Sequence, residues 1–129
     1  MKIYSTINRR KEYFTPIKQG KVSMYVCGVT PYMDAHIGHA MSYITFDVVR
    51  RYFEYKGYEV EYIQNVTDID DKIIERSNKN GVGSQDLADR FFKSFQEDMQ
   101  SLNILPATKF PRATCEISAM IKMIAIPLK

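Results

Sequence analysis

The order of apolar and polar residues divides the chain into short strands and amphipathic helices. Apolar residues on either side of a basic turn predict a small hairpin within residues 1–20. Residues 22–26 are β-branched and aromatic, which is typical of a buried strand, and residues 58–66 alternate as a second strand. Between them, residues 38–56 follow helical spacing, and Gly57 stands where a glycine commonly ends a helix.

One apolar stripe of this helix is predicted to face the core. It consists of Met41, Ile44, Val48 and Tyr55, widened by Phe46, Val49 and Phe53. Arg50 and Arg51 fall outside the stripe and are predicted to be solvated. A strand, a helix and a strand of these lengths form a βαβ unit with parallel strands and a right-handed crossover. The pattern therefore predicts an open α/β sheet, with ligands at the carboxyl ends of its strands.

The remainder of the chain is predicted to be mainly helical. A short helix is predicted to begin at the acidic run around Asp68 and to reach Arg76. Ser84 is predicted to cap a long helix that ends near Ser101. Its predicted buried face consists of Leu87, Phe91, Phe95 and Met99. Residues 105–111 are predicted to be a loop, and residues 117–124 a helix cut short by Pro127.

Composition narrows the class of protein only moderately. The 18 basic and 15 acidic residues give a net charge of +3, which neither demands nor excludes a nucleic-acid partner. The amino terminus lacks the apolar core of a signal peptide, and no segment has the length of a membrane span. Cys27 and Cys115 do not form a disulfide framework, so we expect reduced thiols and a cytoplasmic protein without a membrane partner.

Candidate chemistry gathers where the first strand meets the first helix. His36 and His39 lie three residues apart at the helix start, where unpaired backbone N–H groups and the helix dipole favour an anion. Imidazoles there can donate hydrogen bonds to phosphate, and Gly38 permits close approach of a ligand. The alternative is two histidines without a ligand. The glycine-rich motifs of P-loop and dinucleotide-binding proteins do not occur.

The strand ends offer further candidates with equally plain alternatives. Cys27 is either a small buried hydrophobe or a metal ligand. A zinc site would need three more protein ligands, or two and a substrate, and the spacing of Cys115, the histidines and the carboxylates does not favour such a site within this chain. Thr67 and the carboxylates after it end the second strand and can bind an amine or a hydroxyl. Asp68 can instead serve as a helix cap.

Four motifs resemble cysteinyl-tRNA synthetase: YVCGVTPY at 25–32, HIGH at 36–39, NVTDIDDK at 65–72 and PRAT at 111–114. The HIGH tetrapeptide alone indicates a class I aminoacyl-tRNA synthetase, and the cysteine before VTP together with TDIDD narrows the resemblance to the cysteine enzyme. It implies the first half of a Rossmann-like (HUP-type) nucleotide-binding domain, preceded by a small β-hairpin. Within the amino-terminal part of that domain (1–129), it places the hairpin at 1–20, the βαβ unit at 21–78 and a helical segment at 84–126.

The resemblance also implies an activity. ATP, with Mg²⁺, and cysteine would form cysteinyl-adenylate, and the cysteine would pass to tRNA(Cys). His36 and His39 would be catalytic, and they would bind ATP together with Thr30 and Gly38. Cysteine would lie against residues of both strand ends, namely Cys27, Gly28 and Thr67. Cys27 would also be the first of four ligands of a Zn²⁺ ion that binds the substrate thiolate.

The chain departs from the family pattern near its end. Cys115 follows PRAT where the family usually has a glutamate, and the other zinc ligands, the KMSKS loop and the anticodon-binding helices do not follow. We therefore expect an amino-terminal portion that is inactive alone, with an exposed sheet edge that aggregates or pairs with a complementing carboxy-terminal chain. The alternatives are a mycothiol-type cysteine ligase and a non-catalytic nucleotide-binding half-domain.

Overall fold

A computed structural model describes residues 1–126 of the chain. It contains four strands and four helices in the order β1, β2, β3, α1, β4, α2, α3, α4 within that range. The strands are β1 Lys2–Ser5, β2 Arg10–Tyr13, β3 Lys21–Val29 and β4 Glu59–Val66. The helices are α1 Ile37–Tyr55, α2 Asp71–Asn80, α3 Ser84–Ser101 and α4 Ala113–Ile124. Pro127, which was predicted to end the last helix, lies outside the described residues.

The amino-terminal hairpin and the βαβ unit are both confirmed. Strands β1 and β2 pair antiparallel. Strands β3 and β4 pair parallel and are joined through α1, with Lys21 opposite Glu59 at the start of the ladder. The structure is the first half of a Rossmann-like fold, because a parallel sheet carries its crossover helix against one face.

The segment predicted to be a loop at 105–111 contributes a third strand-like element. Lys109 pairs with Ile63, and Arg112 pairs with Val66, each through an isolated parallel bridge. These hydrogen bonds use the edge of β4 opposite β3, since the amides and carbonyls of alternate residues point to opposite edges. The resulting order is 109–112, β4, β3. Two isolated bridges leave almost no alternating pattern, which is why the sequence did not reveal this element.

The core lies between the sheet and helices α1 and α3. Alternate residues of β4 are buried, as predicted, and so are the four predicted apolar residues of α3. On α1 the prediction holds for Phe53, which is buried, but it was wrong for the main stripe, because Met41 is 66% exposed and Val48 60% exposed. The buried face of α1 is Ala40, Tyr43, Asp47 and Phe53. Burial of a carboxylate at Asp47 shifted the true face away from the most apolar stripe.

Asp47 is buried because it holds the segment that follows α3. Its carboxylate accepts hydrogen bonds from the Leu105 amide at 3.0 Å and from the Arg51 side chain at 2.6 Å. Arg51 also donates to the Asn103 carbonyl, and Arg50 donates to the Pro106 carbonyl, both at 2.7 Å. Both arginines therefore anchor a neighbouring segment. The side chain of Arg51 is 41% exposed, as predicted, whereas that of Arg50 is only 15% exposed, so the prediction of a solvated face was wrong for Arg50 alone.

Two predicted helix starts shift by one or two residues. Asp70, not Asp68, caps α2, since its side chain accepts from the Lys72 amide. Gly83 precedes α3 as its cap residue, and Ser84 is the first residue of the helix. Asp68 is buried because it binds the start of α4. Each helix in residues 1–126 is too short or too polar to span a lipid bilayer.

Candidate active site at the strand ends

The first turn of α1 is capped by the two histidines. His36 is the N-cap residue, and its Nδ1 accepts a hydrogen bond from the Gly38 amide at 3.1 Å. The Nδ1 of His39 accepts from the His36 amide at 3.2 Å, and this completes a reciprocal capping box. The rings lie 4.0 Å apart, centroid to centroid. The sequence placed both residues correctly at the helix start.

This capping fixes where the imidazole protons are. A nitrogen that accepts an N–H carries no proton, so neutral His36 and His39 each hold their proton on Nε2. Burial, followed by the nearby His36, lowers the pKa of His39 below its usual value of 6.5. His39 is therefore held neutral near pH 7, with an Nε2–H donor available to an anion.

Gly38 is required by the cap itself. A Cβ at this position would lie 2.9 Å from Cε1 and 3.0 Å from Nδ1 of His36. Any side chain would push the His36 ring off the Gly38 amide. From the sequence, a glycine at position 38 is explained by the close approach of a ligand. The structure adds a second explanation, the space that the His36 ring needs.

Cys27 lies near the carboxyl end of β3, and its side chain is exposed. The alternative of a small buried hydrophobe is therefore wrong. Its carbonyl accepts a hydrogen bond from the Tyr43 hydroxyl at 3.3 Å. Tyr43 follows His39 by four residues, so both lie on one side of α1, about one helical turn apart. The structure thereby brings the backbone of Cys27 and the histidine pair to the same end of α1.

Thr67 lies beside this end of the sheet, as the parallel pairing predicted. Its amide donates to the Val29 carbonyl at 3.0 Å, and its hydroxyl accepts from the Asn65 side chain at 3.3 Å. Thr30 follows β3 directly, and its carbonyl accepts from the Tyr32 amide at 3.0 Å. Both threonines therefore flank the loop between β3 and α1.

Asp68 does not face this site. Its side chain is fully buried, and it accepts from the amide and the hydroxyl of Thr114 at 3.0 and 2.6 Å. Burial raises the pKa of Asp68, but the Thr114 hydrogen bonds, the backbone N–H of Asp68 and the charge of Arg112 together bring it below its ordinary value. Asp68 therefore has a structural role, as the hydrogen-bond acceptor for the amino terminus of α4. The expectation that it binds substrate is wrong.

Metal binding is limited by the number of ligands. Among residues 1–126, no three His, Cys, Asp or Glu side chains lie close enough to hold a metal ion. The Cys27 thiol is a suitable soft ligand for zinc, but a tetrahedral site needs four ligands or three and a substrate. These residues do not by themselves fit a zinc ion.

The described pockets do not enclose the candidate site. A cavity of about 280 Å³ lies between α1, α3 and β4, and its lining contains neither Cys27 nor the histidines. Buried Gln64 lines it, with an amide nitrogen that has no hydrogen-bond partner. The histidine and cysteine side chains instead lie on an open surface, which is how one wall of a cleft would look.

Comparisons with known proteins agree with this geometry. Residues 13–128 match the family model described as the tRNA synthetases class I (C) catalytic domain. The chain is 55% identical over 125 residues to the cysteine–tRNA ligase of Dehalococcoides mccartyi, which covers 97% of this chain and 27% of that protein. It is 52% identical over 124 residues to the cysteine–tRNA ligase of Thermococcus kodakarensis, with 96% and 26% covered. The chain spans about a quarter of the length of these relatives.

A solved structure supports the fold independently. Methionyl-tRNA synthetase of Mycobacterium tuberculosis, in complex with methionyl-adenylate, superposes with a TM-score of 0.64 at 29% identity. The match covers 71% of this chain and 18% of that one. Together with the parallel βαβ unit and the histidine-capped helix, these matches show that the chain belongs to the class I (C) tRNA synthetase catalytic-domain family.

Proposed function

We propose that this chain supplies one wall of the adenylate-forming site of a cysteine–tRNA ligase. In that reaction a carboxylate oxygen of cysteine attacks the α-phosphorus of ATP, and the bond to the β-phosphate oxygen breaks to release pyrophosphate. A terminal hydroxyl of tRNA(Cys) then attacks the carbonyl carbon of the cysteinyl-adenylate, so that an ester to the tRNA forms and AMP leaves. The names of the relatives, at 52–55% identity, support this reaction over the mycothiol-type ligase.

One observation carries the proposal: both imidazoles accept backbone N–H groups through Nδ1 and so present Nε2–H at the amino terminus of α1. Negative charge grows on the α-phosphate oxygens as the nucleophile arrives. Two fixed Nε2–H donors and a helix terminus stabilise such charge without rearranging. His36 and His39 are accordingly the proposed catalytic residues.

The other roles follow from position. Thr30 precedes the histidines and Gly38 lies between them, and both are proposed to bind ATP, which reaches the site as its Mg²⁺ complex. Cysteine is proposed to bind against Cys27, Gly28 and Thr67, where the two strand ends meet. In a complete protein Cys27 would be one thiolate ligand of Zn²⁺, with the others supplied from outside this chain.

The proposed organisation assigns three parts to the chain. Residues 1–20 form a hairpin, residues 21–78 carry the site, and residues 84–126 form a helical segment that supports it. The remaining walls, and the surface for tRNA, would come from a carboxy-terminal portion or a complementing chain.

A chimera tests this function. We would replace the matching amino-terminal residues of the Dehalococcoides mccartyi ligase with this chain, and measure ATP–pyrophosphate exchange with cysteine. The chimera should catalyse exchange, and His36→Ala or His39→Ala should each reduce it about 100-fold or more, the cost typical of removing one such donor. The 129-residue chain alone should show none.

Lys93→Ala is the control, because Lys93 is exposed on α3. A folded chimera that binds ATP and cysteine but catalyses no exchange would contradict the proposal. Exchange by the chain alone would contradict the expectation that it holds only part of the site.

A further inference from the structure

The side chain of Asn65 joins the ends of β3 and β4. Its Oδ1 accepts hydrogen bonds from the Gly28 amide at 2.7 Å and from the Tyr25 hydroxyl at 3.0 Å. Its Nδ2 donates to the Thr67 hydroxyl at 3.3 Å. One amide thus contacts both strands whose ends are proposed to bind cysteine.

The bond to Gly28 occurs at an irregularity in the ladder. Between two regular pairs, β3 has two residues, Cys27 and Gly28, where β4 has only Asn65. Such a bulge leaves a backbone group without a ladder partner and redirects the side chains around it. Oδ1 of Asn65 accepts the N–H that the bulge releases.

The backbones of β3 and β4 are in direct contact at Gly28 and Asn65, with no side chain between them. A Cβ on Gly28 would lie 1.4 Å from the Asn65 carbonyl oxygen, so only glycine fits. The backbone of Asn65 therefore restricts position 28 to glycine, while its side chain holds the Gly28 amide by a hydrogen bond.

The peptide bond between Cys27 and Gly28 is held at both of its polar groups. Asn65 accepts from the Gly28 N–H, and Tyr43, from α1 beneath the sheet, donates to the Cys27 C=O at 3.3 Å. Burial, the largest cause, raises the pKa of Tyr43 to about 12, so its hydroxyl remains a donor at physiological pH. Two side chains from different elements thereby fix the plane of one peptide bond.

We propose that Asn65 is a positioning residue for cysteine recognition, because it fixes the Cys27–Gly28 peptide and with it the direction in which the Cys27 thiol leaves the sheet. The inference rests on the proposed function only for its consequence, the binding of cysteine. The hydrogen bonding itself is a property of this chain. Asn65 does not contact the reacting atoms, so its loss should weaken binding of cysteine and leave ATP binding unchanged.

Amide hydrogen exchange in the 129-residue chain tests the hydrogen bond. Asn65→Ala should speed exchange at the Gly28 amide about tenfold relative to the Val66 amide, the factor expected for one lost hydrogen bond. Asn65→Asp keeps an acceptor and should restore protection to within threefold. Asn78→Ala, the same change at an exposed helical position, should have no effect at Gly28.

The chimera tests the consequence through separate KM values. Asn65→Ala should raise the KM for cysteine about tenfold or more and leave the KM for ATP within twofold. Asn65→Asp should recover most of the loss. Tyr43→Phe, which removes the other hold on the same peptide, should raise the KM for cysteine by a smaller factor, since its hydrogen bond is longer.

Several results would overturn the inference. They are an unchanged KM for cysteine in Asn65→Ala, an equal rise in both KM values, and an unchanged Gly28 exchange rate. If Asn65→Ala does not fold, Asn65→Asp decides alone: loss of Gly28 protection in folded protein refutes the role. A parent chimera without exchange activity would refute the proposed function, while amide exchange would still decide whether Asn65 holds the peptide.

Discussion

At the scale of single residues, the histidine pair combines a structural and a chemical task. Each imidazole uses one nitrogen to satisfy a backbone N–H of the helix start and leaves the other as a donor. A free helix terminus has such N–H groups unsatisfied, so an anion-binding site normally uses them directly. Here the imidazole rings accept some of these backbone N–H groups and offer their own Nε2–H groups to the anion instead. These ring donors lie farther from the helix axis than the backbone amides.

Substituting Gly38 should separate the two tasks. In Gly38→Ala the new Cβ would displace the His36 ring, and loss of the cap would cost about 1 kcal/mol. Alanine returns about 1 kcal/mol through its higher helix propensity. We therefore expect the free energy of unfolding, measured with urea, to change by less than about 1 kcal/mol, while pyrophosphate exchange in the chimera falls strongly. Unchanged exchange would contradict the role of the ring.

The acid–base state of His39 can be measured directly. Burial and the nearby His36 lower its pKa, so NMR titration of the ring in the 129-residue chain should give a value below 6.5. Because the folded-state value is below the unfolded one, the stabilisation by His39 is present above about pH 6.5 and is lost as the pH falls. His36→Ala should raise the pKa of His39. A value at or above 6.5 in the unmodified chain would contradict this account.

At the scale of elements, buried carboxylates attach distant segments to the βαβ unit. Asp47 on α1 holds the segment after α3, and Asp68, after β4, holds the start of α4. No residue of α4, Cys115 included, is buried. The helix therefore depends on its hydrogen bonds to Asp68 more than on apolar packing.

Removing the Asp68 carboxylate should therefore be costly. Asp68→Ala leaves the amide and hydroxyl of Thr114 without their acceptor, and we expect a loss of about 2–3 kcal/mol in the free energy of unfolding by urea. Since folding lowers the pKa of Asp68, this stabilisation is present above about pH 4 and is lost as the pH falls further.

The matched control is Asp89→Asn. Asp89 pairs with the same Arg112 but is half exposed, so its loss should cost less than about 1 kcal/mol. Equal losses in the free energy of unfolding from the two substitutions would show that the burial of Asp68 adds nothing to stability.

At the scale of the whole molecule, the sheet has an unpaired edge within residues 1–126. β4 is flanked on both sides, whereas β3, apart from a local bridge between Lys18 and Lys21, pairs only with β4 in this part of the chain. The exposed stripe on α1, which consists of Met41, Ile44, Val48 and Tyr55, adds an apolar surface. Surfaces of both kinds favour association.

We expect the 129-residue chain to self-associate as its concentration rises, measured by sedimentation velocity. The double substitution Ile44→Glu and Val48→Lys adds charges in a favourable i, i+4 orientation and should reduce association. Exchanging the exposed charges of α3, with Lys93→Glu and Glu97→Lys, should leave it unchanged. A monomer at all concentrations would contradict the expectation.

The sequence by itself determined the features that depend on local pattern. Alternation located β4, helical spacing located α3, and a strand followed by a helix placed the histidines at a helix start. The parallel arrangement of β3 and β4 followed from the length of the crossover. From these elements alone, Cys27, His36 and Thr67 were assigned to one end of the sheet, because chain connectivity leaves few other arrangements.

Only the tertiary structure decided which polar groups are buried and what they bind. Hydropathy gave the wrong residues for most of the buried face of α1, because Asp47 is buried through a hydrogen bond from the amide of Leu105, which is 58 positions away. Residue type and position left Asp68 either as a substrate-binding carboxylate or as the cap of the next helix, although its partner is Thr114 in α4. The role of Asn65 depends on a bulge, which exists only once two strands are in register. Such long-range hydrogen bonds leave no periodic trace in the sequence, because each depends on two segments meeting in space.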